Sequence, residues 1–377
     1  MPRSLEILDR LIAFETVSRR PNIDLIRYVQ GVLTEAGVHC RLVESADGAN
    51  ANLHARVGPP GAGGVMLSGH TDVVPTDGQD WSVDPFRLSE RDGKLYGRGT
   101  ADMKGFVACA LSAMIAAADR PLSRPLHLAL SYDEEIGCVG VRSLLDMLEG
   151  APDRPDLCIV GEPTSLQVAT GHKGKLAARA VCTGREAHSA LAPQGVNAIH
   201  LAADFVQALR ALQTELAETG ARDDDYDVAT STVHVGTIHG GTALNIVPNR
   251  CEMEFEIRHL AEDDPDALLA RLQAAADALG DTGCGVAIEV VNRYPGLATP
   301  AGSEAVAFVK SLTGANATHK VAFGTEGGLI DARLGVPTVI CGPGSMAQGH
   351  KPDEFVTREQ LEACDQMLAA LVERLAG

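Results

Sequence analysis

The chain opens with two segments whose apolar residues recur at helical spacing: Leu5, Leu8, Leu11 and Ile12 within 4–18, then Ile26, Val29 and Leu33 within 22–36. Such spacing puts the apolar groups on one face, so both segments predict amphipathic helices. Short apolar runs at about 40–44, 52–57 and 65–69 predict strands. Residues 103–118 are alanine-rich and read as a helix, punctuated by Pro121 and Pro125 before a strand at 126–132. A helix at 138–149 and a strand at 156–160 continue the alternation expected of an α/β sheet.

The pattern changes after the GHKGK run at 171–175. A strand in KLAARAVCTG, a long helix near 196–218, strands near 230–238 and 250–258, a helix near 265–279 and a strand at 286–292 follow. That β-α-β-β-α-β order is the order of a ferredoxin-like unit. Beyond Tyr294 the earlier style returns, with a helix at 303–313, a Gly-rich turn, a strand at 336–341 and a last helix from about 357. The expected organisation is a discontinuous α/β domain over 1–175 and 293–377, with a domain inserted at 176–292. No internal repeat is visible.

Size and composition add bounds. At 377 residues the chain exceeds a usual single domain, and 45% hydrophobic residues supply ample core. No apolar run reaches the ~18 residues of a spanning helix, so no membrane association is expected. Glu6, Asp9 and Glu15 interrupt the first apolar stretch, unlike a signal peptide, which makes the cytoplasm the expected compartment. The nine cysteines form no C-x-x-C pair, and Cys109, Cys158, Cys182 and Cys341 lie in apolar runs, as reduced packing residues do. A net charge of −18 without a Lys/Arg cluster argues against a nucleic-acid partner.

The chemistry lies at the ends of the apolar runs. His70 ends GVMLSGH, Asp102 sits in GRGTADMKG, Glu134 and Glu135 follow LHLALSYD, Glu162 follows LCIVG, and His350 stands in GPGSMAQGHKPDE. Charged side chains have no packing reason to be there, whereas open α/β sheets bind ligands just beyond the carboxyl ends of their strands. Two His and several Asp/Glu, with no Cys among them, suit a hydrolytic zinc-type site. Asp72, two residues after His70, is placed to hold the imidazole nitrogen that a metal does not use. Of adjacent Glu134 and Glu135, one can ligate metal while the other faces the attacking water as base. Each residue alone has a bland alternative: a solvated DEE loop, a helix cap at Asp102, a turn at Glu162, a loop histidine at His350. The argument is joint.

HTDVVP, GRGTADMKG, DEEIG, GEPTS and GHKPDE, in this order, resemble the signatures of the metallo-aminoacylase and zinc carboxypeptidase family. That family includes acetylornithine deacetylase and succinyl-diaminopimelate desuccinylase. The likeness runs from about residue 5 to the C-terminus and is nearest to the acetylornithine deacetylase branch, through GHKG, HGGTALNIVPNRC, FGTEGG and CGPGSMAQGHKPDE; Gly327 stands where that branch often has Ala. The resemblance implies two divalent metal ions, zinc first, with cobalt or manganese as alternatives. Asp102 would bridge them, His70 and Glu162 would complete one site, Glu135 and His350 the other, and Glu134 would be the base. It also implies a homodimer, with the inserted domain as lid and dimerisation unit.

Four further residues carry open readings. His188 in REAHSA resembles the family histidine that reaches the partner's site and stabilises the oxyanion. Asn245 either binds the acyl oxygen or closes a turn. Arg258 either holds the substrate carboxylate or forms a structural ion pair. Glu326 either lines the pocket and accepts a cationic side chain, or merely complements the start of a short helix that Thr325 caps. His239 and Lys173 are possible pocket residues. The expected activity is removal of acetate from a small substrate, Nα-acetyl-L-ornithine. The alternatives are a related deacylase, desuccinylase or dipeptidase, or a non-catalytic metal-binding protein on the same fold.

Overall fold

The computed structural model describes residues 2–61 and 63–377. The first elements are α1 (Arg3–Ile12), α2 (Ile23–Glu35), β1 (His39–Glu44), β2 (Ala51–Val57) and β3 (Val65–His70). Next come β4 (Ser89–Arg91), β5 (Lys94–Tyr96), α3 (Lys104–Ala118), β6 (Leu126–Ser131) and α4 (Val141–Glu149). β7 (Leu157–Pro163), β8 (Val168–His172), β9 (Gly174–Thr183) and α5 (Ala198–Thr219) follow. Then come β10 (Thr232–Gly240), β11 (Arg250–His259), α6 (Pro265–Asp277) and β12 (Gly285–Tyr294). The chain ends with β13 (Leu297–Ala298), α7 (Glu304–Thr313), β14 (Thr318–Val321), α8 (Gly327–Leu334), β15 (Thr338–Gly342), β16 (Phe355–Thr357) and α9 (Arg358–Ala376).

Two compact units result. One comprises Met1–Gly171, Leu297–Lys320 and Thr325–Gly377, the other His172–Gly296 and Val321–Gly324. The first is built on a mixed sheet of order β1-β2-β6-β3-β7-β15-β8-β13, with β14 on β8. Its centre is parallel: β3 pairs in parallel with β6 and β7, and β7 with β15. β3, β6 and β7 are buried along their whole length, as expected of parallel strands covered on both faces. α3 is apolar all round and packs against α1, α9 and the sheet. The carboxyl ends of four parallel strands therefore open on one side.

α1 stops at Ile12 rather than continuing to 18. The Lys104 ammonium donates to the carbonyls of Leu11 at 3.1 Å and Phe14 at 2.8 Å, so a distant side chain takes up the helix end. Val17 then bridges to Val73, which a helix would forbid. α4 starts at Val141, not 138, because Gly137 and Cys138 have φ of 114° and 54°, a left-handed stretch incompatible with helix. The β16-β5-β4 sheet, β8, β13 and β14 have no counterpart in the sequence reading, and α8 is there only as the short helix after Thr325. Most are too short to show a period.

In the second unit the sheet order is β10-β11-β9-β12, with antiparallel neighbours throughout, and the chain order is β9-α5-β10-β11-α6-β12. That is a ferredoxin-like fold. Residues alternate between buried and half-buried along β9, and Leu176, Ala178 and Ala180 pack with Phe205, Leu209 and Leu272 from the two helices. Asn197 and Asp264 cap α5 and α6.

Candidate metal centre and active site

Each parallel strand delivers its residue at the same end of the sheet. β3 ends on His70, β6 leads into Glu134 and Glu135, Glu162 lies near the end of β7, and the loop after β15 carries His350. Asp102 stands just before α3. Its Oδ1 is 3.1 Å from His70 Nε2, and its Oδ2 is 3.1 Å from His350 Nε2. His70 Nε2 is also 3.8 Å from Glu162, and His350 Nε2 is 3.0 Å from Glu135 Oε2. The chain thus forms two donor groups, His70/Asp102/Glu162 and Asp102/Glu135/His350, whose ligand atoms lie within 4.8 Å of one another in each group. They share Asp102.

The donor set fits divalent cations. Glu135 Oε1 is buried with no hydrogen-bond partner, an oxygen left for something other than protein. Burial, reinforced by Asp102, raises the Glu135 carboxyl to about 7, and the same two causes push Glu162 well above the usual range. Burial by itself would lower His70, but the Asp102, Asp72 and Glu162 carboxylates outweigh it and raise it. Asp102 and Glu135 raise His350 to about 10. Buried carboxylates crowded in this way are a fit for a cation, whose charge would offset their burial and mutual repulsion.

Asp72 meets His70 through both its backbone and its side chain. The nearer acceptor for His70 Nδ1 is the Asp72 backbone carbonyl, at 2.9 Å, with the carboxylate at 3.5 Å. The carboxylate also accepts the Ser18 hydroxyl at 2.7 Å and the backbone N–H groups of Glu134 at 3.0 Å and Glu135 at 3.3 Å. It holds the loop that carries both glutamates. Glu134 is buried, its carboxyl raised by burial and by Glu135 and Glu326, and the Cys138 thiol lies 3.3 Å from its Oε1.

Glu326 is 2% exposed. Its Oε1 accepts from Ser131 and its Oε2 from Ser68 at 3.4 Å, and burial raises its carboxyl to about 7. Ser68 and Ser131 belong to β3 and β6, so the carboxylate joins the two strands that carry His70 and lead to Glu134. This enclosure corrects the expectation of a pocket wall presented to a cationic side chain. Thr325 does cap the following turn, accepting from Gly327 N–H at 2.9 Å.

In the second unit, His188 and Asn245 are exposed and adjacent: Ser189 N–H donates to the Asn245 carbonyl at 3.0 Å, and His188 bridges to Ile246. His188 Nδ1 accepts from Ala190 N–H at 3.1 Å, which leaves Nε2 as its donor. Arg258 donates to Glu256 at 3.0 Å and to the Tyr294 hydroxyl at 3.1 Å. Lys173 is not a pocket residue, since its ammonium donates to the carbonyls of Val228 at 2.7 Å and Thr230 at 2.5 Å. His239 lines a groove of about 400 Å³ with Glu186, Ile246 and Asn249.

Residues 66–374 match the model of peptidase family M20/M25/M40. The chain belongs to that family. Acetylornithine deacetylase of Myxococcus xanthus is 35% identical over 384 residues, spanning 100% of this chain and 98% of its own. Among solved structures, the M20 family metallo-carboxypeptidase Sso-CP2 of Sulfolobus solfataricus superposes with a TM-score of 0.83 at 20% identity, over 100% of this chain and 99% of its own. The YxeP protein of Bacillus subtilis, a dinuclear metal-binding M20 peptidase, gives 0.69 at 16% identity over 99% and 98%. As an M20/M25/M40 member related to a deacetylase, the protein is a metal-dependent amidohydrolase acting on small peptide-like substrates. No helix among its described residues is long and apolar enough to cross a membrane.

Proposed function

We propose that this enzyme removes the acetyl group from Nα-acetyl-L-ornithine, giving L-ornithine and acetate, a step of arginine biosynthesis carried out in the cytoplasm. The observation that carries the hydrolytic reading is Asp102, whose two oxygens each face a different imidazole at 3.1 Å, with Glu134 beside them. The 35% identity to an acetylornithine deacetylase supports the substrate.

His70, Asp102 and Glu162 would hold one divalent ion, and Asp102, Glu135 and His350 the second. Zinc is proposed in both, with cobalt or manganese accepted by the same oxygen and nitrogen donors. When bound, the ions supply Lewis acidity and a water of lowered pKa. Glu134 takes the proton from the attacking water and returns it to the departing amine. Asp72 steadies the backbone from which Glu134 projects. His188, donating through Nε2, and Asn245 would face the acyl oxygen as it gains charge, while Arg258 would pair with the substrate carboxylate.

These last roles are proposed for a homodimer. The His188 and Asn245 loops join the sheet at the Arg250 end of β11, where Gly184 N–H donates to the Asn249 carbonyl at 2.8 Å. Arg258 stands eight residues farther along that strand, about 26 Å at roughly 3.3 Å per residue. Such a separation supports a composite site in which one protomer supplies His188 and Asn245 and the other Arg258.

The test is a deacylation screen of zinc- or cobalt-loaded enzyme against acetylated amino acids. Preference for acetylornithine supports the assignment. Turnover of other acyl amino acids alone would sink the substrate and leave the hydrolytic site standing; no turnover by fully loaded enzyme would favour a non-catalytic role.

A further inference from the structure

The two donor groups are held in different ways. His70 is 1% exposed at the end of a buried strand, so packing fixes it. The His350 side chain is 46% exposed, on a loop, with φ of 62°. A left-handed histidine persists only where its surroundings impose that conformation.

The surroundings that do so converge on Arg98, a fully buried arginine. Its Nη1 donates to Glu354 Oε2 at 2.6 Å and to the Lys351 carbonyl at 3.3 Å. Its Nη2 donates to Gln79 Oε1 at 2.5 Å and to the Pro75 carbonyl at 3.5 Å, and Trp81 covers the guanidinium at 5.0 Å. Glu354 Oε1 in turn accepts the N–H groups of Ala101 at 2.9 Å and Asp102 at 3.0 Å. Gln79 Nε2 donates to the His350 carbonyl at 2.9 Å. One cation thus ties together three loops, two of which carry Asp102 and His350. None of these bonds uses a metal-facing atom.

We propose that Arg98, Glu354 and Gln79 form a positioning clamp that sets the spacing of Asp102 and His350 and thereby the affinity of the metal site they share with Glu135. This rests on the ligand assignment made under Proposed function. The selective arm is Gln79, because His350 belongs to one group alone; the Glu354 arm holds Asp102, which both groups share. Outer partners that orient ligands change metal affinity by roughly 10- to 100-fold when removed.

The experiment is a zinc titration of metal-stripped enzyme against a chromophoric chelator, with thermal unfolding and circular dichroism as controls. His350→Ala and Glu162→Gln first identify which binding step belongs to which group. If neither removes a step, the ligand assignment fails, whatever the clamp does. If they do, Gln79→Ala should weaken the His350 step by roughly tenfold or more and leave the Glu162 step within a few-fold, at unchanged unfolding temperature, whereas Arg98→Lys, which also releases Glu354 from the shared Asp102, should weaken both steps. Should Arg98→Lys not fold, Gln79→Ala decides alone, its side chain being only half-buried. Equal weakening of both steps by Gln79→Ala, or of neither, in folded protein overturns the clamp.

Discussion

The Ser18 hydroxyl donates to Oδ2 of Asp72 at 2.7 Å, across 54 residues of chain. Because α1 ends early, this segment lies along Val73 and brings Ser18 to the carboxylate that holds the Glu134 loop. Ser18→Ala should lower kcat by roughly three- to tenfold, the worth of one ordinary hydrogen bond, and leave KM unchanged. Ser18→Thr should retain most of the rate. Steady-state kinetics at saturating metal checks this, and a change confined to KM would argue against it.

Glu134 and Glu135 should separate cleanly. Glu134→Gln should keep full metal content and lose on the order of 10²–10⁴-fold in kcat, as for a lost general acid/base. Glu135→Gln removes a donor whose second oxygen has no protein partner, so it should lower metal occupancy first. Metal analysis beside turnover distinguishes them; near-normal turnover by fully loaded Glu134→Gln would remove it as base.

The proposed homodimer predicts complementation. Mixing inactive His188→Ala subunits with inactive Glu134→Ala subunits should restore part of the activity, since a hybrid holds one intact composite site. If exchanged subunits show no recovery, His188 acts within its own chain or not at all.

Glu326 is closed in between Ser131 and Ser68. Glu326→Gln should therefore reduce kcat/KM for acetylornithine and for neutral acetylmethionine by the same factor, within about twofold. A loss of roughly tenfold on the cationic substrate alone would mean that the carboxylate reaches substrate charge after all.

His54 and His127 give a pH signature. They stack in the sheet interior, Nε2 of one 3.3 Å from Nδ1 of the other, and burial followed by the His127 charge lowers His54 to about 4. The folded protein keeps His54 neutral, whereas the unfolded chain protonates near 6.5. Stability is therefore retained above about pH 6.5 and lost as pH falls towards 4, by about 3 kcal/mol from this group. His54→Gln, which keeps a donor for His127 but does not titrate, should flatten that part of the profile in unfolding experiments. An unchanged slope would assign the acid sensitivity elsewhere.

Of the five proposed ligands, His70, Glu135 and Glu162 were legible because they lie at or just beyond the ends of β3, β6 and β7, whose apolar runs make a carboxylate or imidazole conspicuous, whereas Asp102 and His350 stand in Gly-rich loops and were picked out with the quoted motifs. The ferredoxin-like unit was legible because its strands and helices are long enough to show their periods. What surrounds the ligands was not. Arg98 and Glu354 lie inside the quoted GRGT and HKPDE motifs, yet nothing in either motif says that they pair with each other across the chain. Ser18 looked like the end of a helix until Lys104 was seen to close α1 at Ile12. Glu326 stayed between two readings because the two serines that enclose it come from β3 and β6, far away in sequence.

Trp81 is the only tryptophan in the chain, and its indole N–H donates to Gln79 Oε1 at 3.0 Å while its ring lies over Arg98. Its emission should therefore respond to the cation that ties together the Asp102 and His350 loops. The protein carries an optical gauge of its own metal centre: ion binding that shifts those loops should alter the colour or yield of a single fluorophore, with no label attached and no background from another indole.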